Sequence, residues 1–164
     1  MIVKFGVAAW VFMLKKLIQK LKRFSKAPKR IRLSHQGEHY HLGDLYDEIN
    51  HKYFDGAADL QITWSGSKRS IPKTSLTFGT YCPNKKLIRI HRRLDQPHVP
   101  RYFIAFVIYH ETLHHFYPPT YDRYGKRSIH HSQFKEAEKQ FPHYKEAKLF
   151  AKSGFNPKIN KIYS

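Results

Sequence analysis

Hydrophobic positions change their spacing several times along the chain, and each change marks an element. Leu42, Leu45, Tyr46, Ile49 and Tyr53 recur at three- and four-residue steps, which predicts a helix over residues 42–54, ended by Asp55-Gly56. The period then becomes two. Leu60, Ile62 and Trp64 alternate with polar residues, as do Leu76 and Phe78, and residues 87–90 form a short branched run, so strands follow the helix. Cys82-Pro83-Asn84-Lys85-Lys86 reads as the turn of a hairpin that joins residues 76–81 to 87–91. From Tyr102 to Phe116 the chain is apolar nearly all round, opened by Pro97 and Pro100 and closed by Pro118-Pro119, as expected of a helix inside a core. Phe134, Ala137 and Phe141 return at helical spacing and predict a helix over residues 130–140, which breaks at Pro142 and resumes over 144–152. The order of elements predicts an α+β fold with a small three-stranded sheet.

The first 36 residues have a different character. Residues 5–14 are uncharged and mostly apolar, after which Leu14, Leu17, Leu21 and Phe24 keep one face apolar while Lys15, Lys16, Lys20, Lys22 and Arg23 cover the other. An apolar stretch of about ten residues is too short to span a bilayer. An amphipathic helix at a membrane surface fits better, with Trp10 and Phe12 at the headgroup boundary; docking onto the domain or a partner ranks next, and a signal-anchor last. Residues 25–36 read as a basic linker. The expected organisation is therefore a basic helix and linker over 1–36, a domain over 37–154 and a basic tail over 155–164.

Chemistry enters in the core helix. It carries His110-Glu111-x-x-His114, and residues four apart on a helix share a face, so both imidazoles can meet one ion with Glu111 beside it as general base. Burying two imidazoles and a carboxylate in such a helix without partners would cost several kcal/mol, which a metal removes. A catalytic zinc takes three protein ligands and keeps one open position. His130, four residues before Phe134, continues the inward face of the next helix and is the preferred third ligand, with His131 or Glu138 as substitutes. His39 and His41 have no metal-pair spacing. The loop of residues 118–128 interleaves aromatic and basic side chains. Tyr121, Tyr124 and Arg127 are its candidates for oxyanion or substrate contacts.

Composition narrows the setting. A single cysteine, Cys82, excludes an internal disulfide framework and a Cys-rich metal cluster, which suits a reducing compartment. Lys and Arg number 30 against 12 Asp and Glu, a formal net charge of +18, and ten of the basic residues fall in residues 1–37, which hold no acid. A polyanion is the expected partner, DNA or an anionic membrane surface. The expected location is cytoplasmic, on the nucleoid or peripherally on a membrane.

His110-Glu111-x-x-His114 followed by His130-x-x-x-Phe134 resembles the SprT-like metallopeptidases, the family that includes Spartan, in which His-Glu-x-x-His is followed by His-Gly-x-x-Phe. Asn50 and the Tyr53-Phe54 pair are similar to the family's opening helix, and Gly79-Thr80-Tyr81 with Leu87-Ile88-Arg89-Ile90 to its strands. The similarity spans residues 42–150. His131 stands where the family usually has Gly, and no Cys-rich zinc ribbon follows. The resemblance implies a minimal zincin-like domain, one zinc ion, and hydrolysis of peptide bonds in DNA-bound or DNA-crosslinked proteins, with a strand edge holding the substrate backbone. Two other classes compete with it: a membrane-surface zinc peptidase, and a non-enzymatic zinc-folded nucleic-acid binder.

Overall fold

A computed structural model of the protein describes residues 32–68 and 77–153. The readings made for residues 1–31, 69–76 and 154–164, including the amphipathic helix and the tail, lie outside them. The described residues form an α+β domain. Four α-helices, α1 (Leu42–Phe54), α2 (Arg101–Phe116), α3 (Ser132–Lys139) and α4 (Tyr144–Ser153), accompany strands β1 (Gln61–Ser65), β2 (Gly79–Cys82), β3 (Leu87–His91), β4 (Thr120–Tyr121) and β5 (Arg127–Ser128). Among the described residues, no helix is long and apolar enough to cross a membrane.

Local chemistry sets the limits of α1. Its first turn is capped by the His41 side chain, which accepts the Asp44 N–H, and it ends at Asp55, where the backbone turns left-handed (φ 51°). Leu42, Leu45, Tyr46 and Ile49 form the buried stripe the periodicity predicts. The connection to β1 is pinned twice. Asn50 brackets Ala58 with a pair of 3.0 Å hydrogen bonds, and the Tyr46 hydroxyl donates to the same Ala58 carbonyl.

The sheet has the order β1-β3-β2, with β3 parallel to β1 and antiparallel to β2. As the central strand, β3 buries Leu87, Ile88 and Ile90 completely. β1 departs from strict alternation, because Thr63 is buried between Ile62 and Trp64. The cause is the segment before α1: the Ser34 N–H donates to Thr63 Oγ1, and the Ser34 carbonyl accepts the Trp64 N–H. The compact unit accordingly begins at Leu33 rather than Gly37, and part of the expected linker belongs to the domain. The hairpin is shorter than expected at its start. β2 opens at Gly79, and residues 83–85 form a single 3-10 turn before β3.

α2 runs through the middle of this arrangement. Residues 103–109 are buried without interruption, because the sheet covers one side of the helix and α1, α3 and α4 pack on others. Its last two turns are less enclosed, reaching 40% exposure at Phe116 before Pro118 and Pro119 end the helix. The loop after it is more ordered than its composition suggests. Thr120 and Tyr121 pair with Ser128 and Arg127, and the Asp122 carboxylate accepts the N–H groups of Tyr124 and Lys126 to close the turn at Gly125 (φ 76°).

Candidate metal centre

The half-open end of α2 presents His110 and His114 one turn apart, with ring centroids 4.9 Å from each other. The third imidazole comes from His130, 5.0 Å by centroid from both. One ligand atom from each of these residues lies within 4.8 Å of the other two. His130 does not sit on the helix predicted over 130–140. The chain is still extended at His131, the N-cap residue of α3, so His130 reaches the group from the loop one residue earlier.

Three features suit this group to a metal. His114 Nε2 and His130 Nε2 lie 3.3 Å apart; two nitrogens bound to one tetrahedral zinc at about 2.05 Å would be separated by about 3.3 Å. Burial, together with the neighbouring imidazoles, holds His114 down at about 4 and lowers His130, so both rings are neutral and offer lone pairs near pH 7. The tautomer of His110 is also fixed. Its Nδ1–H donates to Glu138 Oε1 at 2.7 Å, which leaves Nε2 free to face the group. Burial raises the Glu138 carboxyl, but that hydrogen bond and the charges of His110 and Lys148 outweigh it, and its net position is below the ordinary value. Phe134, fully buried, packs its ring within 4.6–5.1 Å of all three imidazoles and backs them from the α3 side.

Glu111 sits under the edge strand. A Cβ placed on Gly79 would come within 2.8 Å of Glu111 Cγ and 2.9 Å of Oε1, so the strand lies this close to α2 only because residue 79 is glycine. Burial pushes the Glu111 carboxyl up to about 7, against the opposing pull of His110 and the Tyr81 backbone N–H. It is thus a carboxyl that exchanges a proton near neutral pH, in a cavity it shares with His110.

The remaining candidates are distributed as follows. Glu138 is a hydrogen-bond partner of a group member and lies outside the three-residue group, as does His131, whose ring is 6.3 Å from Tyr117. Tyr121 and Tyr124 are 67% and 79% exposed on the small hairpin with Arg127, and among the described residues no hydrogen bond or ring contact ties these three to the imidazoles. Sequence reasoning missed Gly79 and the Tyr81 N–H as groups that touch Glu111. The signal available for Glu138 was its place one helical turn beyond Phe134, which puts it on the inward face.

Comparison with protein-family models gives no match, and comparison with curated proteins gives none either. The SprT-like resemblance therefore rests on the motif residues quoted above. What stands from the geometry is an α+β domain whose three-histidine group could hold a metal ion.

Proposed function

We propose that the protein is a zinc-dependent metalloendopeptidase of the SprT-like, zincin type, with His110, His114 and His130 as ligands and Glu111 as general base. The observation that carries this reading is the meeting of three imidazoles beside a buried carboxyl of raised pKa, at the lip of a cavity and beneath an edge strand. Bound there, zinc would supply a Lewis acid for the scissile carbonyl and a water of lowered pKa. The chain's own groups do the rest. The Glu111 carboxylate accepts a proton from water and passes it to the leaving amine, and its burial keeps that proton exchangeable near pH 7. Glu138 fixes the His110 ring through Nδ1, which would leave its other nitrogen to hold the ion, and Phe134 excludes water from behind the three rings. β2, at the sheet edge, is the element to which an extended peptide would add by main-chain hydrogen bonds.

The net charge of +18 supports DNA as the surface on which the protein substrate is presented. Salt-sensitive DNA binding by the full chain checks that part by itself.

The decisive experiment loads the full chain with one equivalent of zinc and follows hydrolysis of an unstructured protein. Glu111→Gln is expected to keep zinc and lose activity by about 10²–10⁴-fold. His114→Ala is expected to lose both, with zinc affinity down on the order of 10²–10³-fold. A fully active Glu111→Gln protein would overturn the assignment.

A further inference from the structure

Beside His110 and Glu111 lies a cavity of about 420 Å³, bounded by the start of β2, the middle of α2 and the C-terminal part of α4. Pockets that take ligands run from about 300 to 1,000 Å³, so this one has room for a large side chain together with the backbone that carries it. Phe78, Phe103, Phe106, Val107 and Ala151 give it apolar walls. Its charged lining, besides Glu111, is Glu138, Lys148 and Lys152.

The charged groups are unequally available. Glu138 is already engaged by His110 Nδ1 at 2.7 Å and by Lys148 Nζ at 3.6 Å, and Glu111 belongs to the reacting machinery. Lys148 also lies over the Phe106 and Tyr144 rings, 5.9 and 5.6 Å from their centroids. An arriving lysine or arginine side chain would therefore meet two ammonium groups and one carboxylate, Glu138, whose Oε1 is already shared by His110 and Lys148, and would give up its hydration for at most a shared partner. A bulky apolar side chain would instead cover the phenylalanine surface and lose nothing polar.

We propose that this cavity is the subsite for the side chain next to the bond to be cut, and that it selects large apolar side chains and rejects lysine and arginine. Its place next to a scissile bond rests on the peptidase reading; its ligand preference does not.

The test separates the two. Zinc-loaded Glu111→Gln protein is titrated with N-acetyl-phenylalaninamide, N-acetyl-leucinamide and N-acetyl-lysinamide, and binding is followed by NMR shifts of the Ala151 and Val107 methyl groups. The phenylalanine and leucine probes are expected to bind at least about tenfold more tightly than the lysine probe. Adding Ala151→Phe, which fills the cavity from α4, should abolish the shift of the Val107 methyl groups, the reporter that this variant retains. Adding Lys152→Glu, on the exposed side of α4, should narrow the gap between the phenylalanine and lysine probes by at least about threefold. Equal binding of the three probes overturns the proposal, as does undiminished phenylalaninamide binding to a folded Ala151→Phe protein; if that variant does not fold, the Lys152→Glu comparison decides. Cleavage by the wild-type chain is mapped separately by mass spectrometry of the products. Turnover with no apolar preference at the cut overturns the subsite alone, whereas an apolar binding preference with no turnover overturns the peptidase reading and bears out the cavity's selectivity.

Discussion

Two stretches of this protein are rich in histidine, and they differ in what their imidazoles are attached to. His35, His39 and His41 fall within seven residues of sequence, next to Asp44. There the His41 side chain caps α1, His39 contributes its backbone N–H to Asp95, and the His35 and His41 rings meet edge-on at 6.0 Å. His110, His114 and His130 are separated by up to 20 residues and converge with centroids 4.9–5.0 Å apart. In the first set, among the described residues, only the His41 ring takes part in a hydrogen bond; His39 and His35 enter the turn through their backbone groups, and His35 Nε2 is buried without a hydrogen-bond partner. The second set is backed by a phenylalanine, His110 is held by a carboxylate, and burial lowers His114 and His130 so that both are neutral near pH 7. Proximity in sequence does not make a metal site, and neither does one unoccupied ring nitrogen; what does is the convergence of three ligand atoms within 4.8 Å of one another.

Asp95→Asn attacks the first region alone and should have the largest effect. Its fully buried carboxylate accepts N–H groups from Glu38, His39 and Tyr40 at 2.7–3.2 Å. Burial raises this carboxyl, but the three N–H groups and Lys68 outweigh it, so its folded value lies below the ordinary one. A depressed carboxyl stabilises the fold fully above the unfolded value of about 3.9, and the contribution is lost as pH falls through the folded value. The substitution should therefore cost about 3 kcal/mol at pH 7, by urea denaturation, and flatten the acid limb of the stability profile. Zinc affinity should not change, and a tenfold loss would join the two regions that the comparison separates.

Glu138→Gln works the other way. The amide keeps the shape of Glu138 but withdraws the charge that accepts the His110 Nδ1–H, and zinc affinity should fall by about 10–100-fold in competition with a chromophoric chelator. Unfolding of the metal-free protein should move little by comparison. Unchanged affinity would mean that the orientation of His110 is set by packing alone.

How much of this was legible in the sequence varies from residue to residue for physical reasons. α1 could be bounded because its stripe, from Leu42 to Ile49, and its stop at Asp55-Gly56 are both local signals. The ends of α2 were legible from prolines for the same reason. His110 and His114 share a face by helix geometry, so their pairing followed from spacing. The approach of His130 from a loop did not, because the spacing to Phe134 continues the helical face while the backbone at His131 is still extended. Glu138 was visible as an inward-facing carboxylate, but whether it meets an ion or an imidazole depends on a distance that sequence does not contain. Gly79 was legible only as part of a strand, since its close approach to Glu111 is a contact across 32 positions. The burial of Thr63 was invisible for a similar reason: it depends on the segment at Ser34 crossing the edge of β1.

The smallest effect is the sharpest check on the contrast between the two sets. One His41 nitrogen, Nδ1, lies 3.3 Å from the Asp44 N–H and 2.8 Å from the Asp44 carboxylate at an exposed helix end, so it accepts the N–H when it carries no proton and pairs with the carboxylate only when it does. Exposed ion pairs contribute little, so the cap should carry nearly all of what His41 adds to stability. His41→Ala should lower the unfolding free energy by about 1 kcal/mol, and His41→Ser, which restores an acceptor of the preferred kind, should recover most of it. Neither change should move zinc affinity by more than about twofold, because the site's imidazoles are held by other groups. A serine variant as unstable as the alanine one would show that the imidazole does more than cap the helix, and the distinction between structural and metal-facing histidines would have to be drawn elsewhere.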